Sequence, residues 1–361
     1  MKDTDVDVVV VGAGVMGSAA ARALAHAGRE VVILERFRIG HSHGSSHGRA
    51  RVFRFSYDDP RFVRMAQESL PLWRQLEAEV GQDILTTTGG LDVGKGTEER
   101  ISALEACGAA FELLTGEECR QRFPLVAVPD GEPVLFQGDA GVVAADRAWH
   151  AFARSAVQAG GELREDTPVD RLIVEDGHVE VRAGEDRWRA RVAVVTAGAW
   201  TRRLLWGMDQ DIPTTPTRET VAFFAMPQAT VPPVVVEWTT PPLYSLFSFE
   251  QGLKAAEHHA GPVTDPDQEG EVGEESLARL AGWVRERFPQ AESGPHHAET
   301  CIYTNTPDES FILERRGRVV IGSPCSGHGF KFAPWVGRRL AELAQEEYDR
   351  GIRLSSSPRA N

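Results

Sequence analysis

DVVVVGAGVMGSAAARALAHAGREVVILER, residues 7–36, decides the fold. Residues 7–11 are a β-branched run of the kind buried on both faces of a parallel sheet. Gly12, Gly14 and Gly17 follow at G-x-G-x-x-G spacing, and an alanine-rich helix is predicted to about residue 27, closed by Gly28. A second strand is predicted over 30–34, and it finishes at Glu35, 23 positions after Gly12. A glycine triplet alone is a weak signal. Here the strand precedes it, the helix follows and the acid lies beyond, which is the setting in which the triplet binds a dinucleotide. The glycines let the backbone approach a pyrophosphate at the helix N-terminus, and Glu35 can accept from a ribose hydroxyl. The bland alternative is a βαβ unit whose glycines serve only packing.

NAD and FAD share this fingerprint, so it does not name the cofactor. Its place at the N-terminus and a later strand, RVAVVTAGAW over 191–200, that ends in small residues both favour FAD. The segment GSSHGRARVFR, 44–54, opens as a loop and then carries Arg49, Arg51 and Arg54. A solvated basic face would explain those arginines; a site beside a bound dinucleotide would explain them equally.

The bulk numbers narrow the class. With 361 residues the chain is long enough for two domains. Its 42% hydrophobic and 25% charged content is that of a globular protein. A formal charge of −14 argues against nucleic acid or an anionic membrane as a partner, while leaving room for a local cationic pocket. Four scattered cysteines, Cys107, Cys119, Cys301 and Cys325, show no CxxC pair and no metal-ligand spacing, so free thiols in a reducing cytoplasm are expected. No signal peptide or apolar run of about 20 residues is apparent, and no metal site is expected. In SGHGFKF, 326–332, Lys331 sits between two phenylalanines, where an ammonium is costly unless an anion meets it.

Together GAGVMGS, GSSHGRARVFR, GLK, CIYTNTPDESF and SGHGFKF resemble the monomeric sarcosine oxidase and N-methyltryptophan oxidase family, over about residues 5–345. The resemblance implies an FAD enzyme that oxidises N-methyl or other secondary amino acids. In that family a hydride equivalent passes to flavin N5, the imine hydrolyses, and oxygen becomes hydrogen peroxide. It implies covalent attachment of the flavin through Cys301, a residue that composition alone would read as a small core hydrophobe. Arg54 and Lys331 would hold the substrate carboxylate as a bidentate donor and a point charge. Lys254 would stabilise the charge that develops as oxygen is reduced. His258, Tyr244 and Tyr303 would line the substrate site.

His47 and Arg51 would pack against the flavin ring. The cofactor set implied by the resemblance adds Val15, Met16, Arg36, Ser45 and Ser46 to the three glycines and Glu35. From later segments it adds Val169, Gly198, Trp200, Gly327, Gly329 and Phe330. One departure stands out: the family has an aromatic residue just before the histidine, and this chain has Glu257, which leaves the substrate side of the pocket open. Trp238 cannot be placed from sequence.

The architecture expected is α/β and two-domain. A Rossmann-type FAD-binding domain is formed by 5–83, 146–210 and 312–350. An interleaved antiparallel-sheet substrate domain takes 84–145 and 211–311, and 351–361 is a tail. The expected partners are a small amino acid with a free carboxylate and molecular oxygen, acting on a monomer. Two other readings stay open: a biosynthetic oxidase of a cyclic imino acid, and a dehydrogenase using a non-oxygen acceptor, against which Lys254 argues. A non-catalytic flavoprotein would not need Cys301, Lys254, Arg54 and Lys331 together.

Overall fold

The computed structural model describes residues 3–129, 131–206, 208, 211–227 and 231–355. It divides into two compact units, one formed by Met1–His47, Ala148–Thr215 and Thr304–Asn361, the other by Gly48–Arg147 and Pro216–Tyr303.

In the first unit the strand Asp3–Val11 runs parallel to Val31–Leu34 on one side and to Asp186–Val195 on the other. Glu162–Arg164 extends the parallel sheet beyond Val31–Leu34. The strand Asp186–Val195 forks: its first half pairs with the antiparallel meander Arg171–Glu175 and His178–Ala183, its last three residues with Val319–Ser323. Val8 to Val11 are almost wholly buried, as a β-branched run between two parallel neighbours requires. The helix Val15–His26 packs against the C-terminal helix Ala333–Ser355, so closely that a Cβ on Gly337 would lie 2.6 Å from Ala19.

The second unit holds an eight-stranded sheet that begins with His297–Asn305, Thr215–Phe224, Gly252–Glu257 and Leu243–Ser248. It continues through Val234–Trp238 and Gly90–Gly94. Pairing is antiparallel from Thr215–Phe224 through Gly252–Glu257 and Leu243–Ser248 to Val234–Trp238, which then runs parallel to Gly90–Gly94. A smaller antiparallel sheet joins Ala50–Phe53 and Leu85–Thr87 to Gly141–Ala144. The core on one side of the large sheet is filled by Leu280, Trp283 and Val284 of the helix Glu274–Arg287.

Several expectations shift. The first Rossmann segment ends at His47 rather than near residue 83, because Ala50–Phe53 pairs with Gly141–Ala144 inside the second unit. The strand expected over 191–200 stops at Val195; Thr196 still donates to Val11 O, and Gly198 then turns the chain at φ +53° into a short helical turn. Residues 351–355, expected in a tail, continue the last helix, and the remainder of that tail lies outside the described residues. Among the described residues no helix is long and apolar enough to cross a membrane.

Candidate active site

The glycine loop of the first unit has the geometry its spacing implies. Gly12 has φ +93°, and a Cβ there would sit 2.7 Å from Thr196 O; a Cβ on Gly17 would sit 1.9 Å from Gly12 O. Only glycine lets the helix start this close to the strand. The loop carbonyls are tied back: Trp149 Nε1 and Ser18 Oγ donate to Ala13 O at 2.6 and 2.8 Å, and Thr196 Oγ1 donates to Gly12 O at 2.9 Å. Val15 N donates to Ser46 Oγ at 2.9 Å. The first turn of the helix carries no acidic residue, so its positive end is not neutralised from within.

Glu35 is buried and accepts from Ala13 N at 2.7 Å and Phe37 N at 3.0 Å, with His41 Nε2 at 3.5 Å. Burial opposes its charge, but the hydrogen bonds from His41, Phe37 and Ala13 outweigh it and hold the carboxyl below its usual range. A carboxylate has about four acceptor positions, so it can bind the loop and still serve a hydroxyl. Arg36 lies 5.4 Å over the Trp200 ring, bringing those two candidates together, and His47 Nδ1 lies 2.8 Å from Gly44 O. Val169 and Met16 are half-buried. Gly327 has φ +71°, and a Cβ on Gly329 would sit 1.7 Å from Pro324 O.

Lys331 follows in a short helical turn with Phe330 and is 5% exposed, which excludes a lysine lying on the surface. Its Nζ donates to His328 O at 2.7 Å and lies 5.2 Å from the Phe332 ring.

In the second unit alternation along Gly252–Glu257 puts Lys254 and Ala256 on one sheet face and Leu253, Ala255 and Glu257 on the other. Ala256 packs with Val221, Phe223, Cys301 and Tyr303, and Tyr244 lies against this cluster. Lys254 Nζ donates to Ala50 O at 3.1 Å, and Arg51 Nη1 donates to the same carbonyl at 3.0 Å. Arg51 Nη2 lies 3.8 Å from Cys301 Sγ. Burial, and after it the Arg51 charge, push the Lys254 ammonium down to about 7. Burial also pushes Tyr244 up to about 12 and Tyr303 well above its usual value, so both phenols remain protonated donors at neutral pH. His258 Nδ1 stands 3.4 Å from Tyr303 Oη. Cys301 is a buried free thiol.

Arg54 is buried, with Nη1 3.3 Å from Ser56 Oγ and its guanidinium 4.2 Å over the Tyr57 ring and 5.1 Å over Trp238. The arginines of 44–54 are therefore not one basic face, since Arg49 is exposed while Arg54 is enclosed. Glu257 does not belong with the candidate residues. It is 2% exposed, on the opposite sheet face, paired with Arg279 Nε at 2.6 Å and Nη2 at 2.9 Å, and accepts from Ser276 Oγ at 2.5 Å. The departure from the family pattern at this position is thus a structural ion pair with the helix Glu274–Arg287.

Residues 7–343 match the family model described as FAD dependent oxidoreductase. The chain is 34% identical over 360 residues to the monomeric sarcosine oxidase of Bacillus sp. (strain NS-129), covering 94% of this chain and 93% of that protein. It is 32% identical over 363 residues to the peroxisomal sarcosine oxidase of Homo sapiens, with 94% and 92% covered. The chain belongs to the FAD-dependent oxidoreductase family. The solved structure of NikD, an unusual amino acid oxidase essential for nikkomycin biosynthesis, superposes with a TM-score of 0.85 at 24% identity, covering 95% of each chain, and so shares the fold.

The residues of this FAD-dependent oxidoreductase fit its cofactor. Gly12, Gly14 and Gly17 leave the helix N-terminus open to a pyrophosphate, and Glu35 is an ionised acceptor held at the end of the second strand. Four residues of the second unit escaped sequence reasoning: Ser56, Asp92, Arg100 and Gln137, all buried around Arg54. Asp92 and Gln137 carried one sequence signal, polarity inside the apolar strands GLDVG and VLFQ, whereas Ser56 follows a strand and Arg100 lies in the helix Thr97–Ala106.

Proposed function

We propose that this protein is an oxidase of small secondary amino acids of the sarcosine type, using FAD attached through Cys301 and producing hydrogen peroxide. The observation that carries the reading is the gathering of Arg51, Lys254, Tyr244, His258, Cys301 and Tyr303 within the second unit, all at positions that match the sarcosine oxidase motifs. The names of the relatives point to the same substrate class. Bound FAD would take a hydride equivalent from the carbon beside the substrate nitrogen and pass the electrons to oxygen.

The side chains supply binding and electrostatics. Arg54 and Lys331 are the proposed carboxylate ligands, each already desolvated by its own surroundings. Tyr244 and Tyr303, kept protonated, offer donors, and His258 beside Tyr303 offers a ring nitrogen to the substrate amine. If the amine binds in its neutral form, no side chain has to act as a strong base. Lys254 and Arg51, which both donate to the Ala50 carbonyl, are the proposed source of positive charge for the negative charge that electron transfer to oxygen would build.

The test is anaerobic loss of flavin absorbance with sarcosine, N-methyltryptophan, pipecolate and proline in turn. Bleaching by sarcosine supports the proposal, and bleaching by pipecolate alone would move the assignment to cyclic imino acids. An unchanged spectrum with all four would overturn it.

A further inference from the structure

Around Arg54 the second unit builds a polar shell whose donor and acceptor roles are fixed. Asp92, 3% exposed, accepts through Oδ1 from Trp238 Nε1 at 2.7 Å and through Oδ2 from the hydroxyl of Ser56, a residue with no exposed surface. Gln137 Oε1 accepts from Phe55 N at 2.9 Å and from Ser56 N at 2.7 Å, holding the backbone that follows Arg54. The Trp238 ring is in turn covered by Arg100, whose guanidinium lies 3.6 Å from its centroid and whose Nη1 donates to Lys95 O at 2.6 Å. Hydrogen bonds thus hold both the Trp238 indole and the backbone at Ser56.

The polarity of this chain has one solution. A serine hydroxyl has a single proton, and once it is given to Asp92 only lone pairs are left. Arg54 carries only donors, and its Nη1 faces that oxygen at 3.3 Å. We infer that Asp92, acting through the Ser56 hydroxyl, is a positioning residue that sets the orientation of Arg54 for the substrate carboxylate. The inference rests on the carboxylate role proposed for Arg54 above. Asp92 needs two acceptor oxygens for the Trp238 and Ser56 donors, and an asparagine has one. In Asp92→Asn an amide N–H would confront either the indole or the hydroxyl. If the hydroxyl reverses, its proton points at the guanidinium and Arg54 is pushed off its site.

The experiment titrates the flavin absorbance of the holoenzyme with methylthioacetate and with its neutral methyl ester. In the unaltered enzyme the acid should bind more tightly than the ester. Asp92→Asn and Ser56→Ala should each weaken the acid about tenfold, the scale of one hydrogen bond to a charged group, and leave the ester within about twofold. Ser56→Thr keeps the hydroxyl and should restore the preference. The double variant should lose little more than either single one, because both act through the same oxygen. Ser56→Ala removes one oxygen, so it serves if Asp92→Asn does not fold. Full acid preference in Ser56→Ala, or equal weakening of acid and ester, would overturn the inference while leaving the carboxylate reading intact. An unaltered enzyme that does not distinguish acid from ester would overturn that reading, and the inference with it.

Discussion

Lys254→Met should separate the two halves of the catalytic cycle. The lysine is 3% exposed and its ammonium is pushed down to about 7, so near neutrality roughly half the molecules carry the charge. A charge about 4 Å from a developing anion is worth about 1 kcal/mol in bulk water, but about 4 kcal/mol at an effective dielectric of about 20. Burial selects the second figure, equivalent to two to three powers of ten in rate, which is also the scale of losing one oxyanion donor. The substitution leaves the Ala50 carbonyl with its Arg51 donor at 3.0 Å, so the strand should hold its place. Stopped-flow measurement then compares anaerobic flavin reduction by sarcosine with reoxidation in aerated buffer. Reoxidation should slow by about 100-fold or more and reduction by less than about tenfold. Equal losses in both half-reactions would refute the assignment and make Lys254 structural or a substrate ligand.

Other consequences follow from the same geometry. In the unaltered enzyme reoxidation should slow as pH rises through about 7, because the charged form of Lys254 is lost there, and Lys254→Met should be flat over that range. The free lysine titrates near 10.4, so between about 7 and 10 the unfolded chain binds the extra proton and stability rises with pH, a slope Lys254→Met should remove. Acid-precipitated enzyme should keep its yellow colour, and Cys301→Ser should release free FAD; free FAD from the unaltered protein would rule out the linkage. Glu257→Gln should lower stability by about 1–3 kcal/mol in denaturant titration, with sarcosine kinetics unchanged, since Glu257 serves Arg279 and Ser276.

Local signals were legible where chemistry and structure share one short segment. The glycine loop is read from 7–36 because strand, turn, helix and acid are consecutive, and Lys331 is read from SGHGFKF. Period-two alternation was also available: Lys254, Ala256 and His258 share one parity, and Glu257 has the other. The domain border at His47 was not legible, because it depends on Ala50–Phe53 pairing with a strand about 90 residues later. Asp92 was hidden for a similar reason, since Gly90–Gly94 meets Trp238 only through a parallel pairing of distant strands.

Oxidation of a secondary amine with oxygen as acceptor fixes a stoichiometry. Its most direct measurement follows oxygen uptake and hydrogen peroxide together while the purified protein turns over sarcosine. One peroxide should form for each oxygen consumed, with uptake stopping when the amine is exhausted. Rapid anaerobic bleaching of the flavin, followed by slow reoxidation in air and no peroxide, would contradict it and identify a dehydrogenase with another electron acceptor.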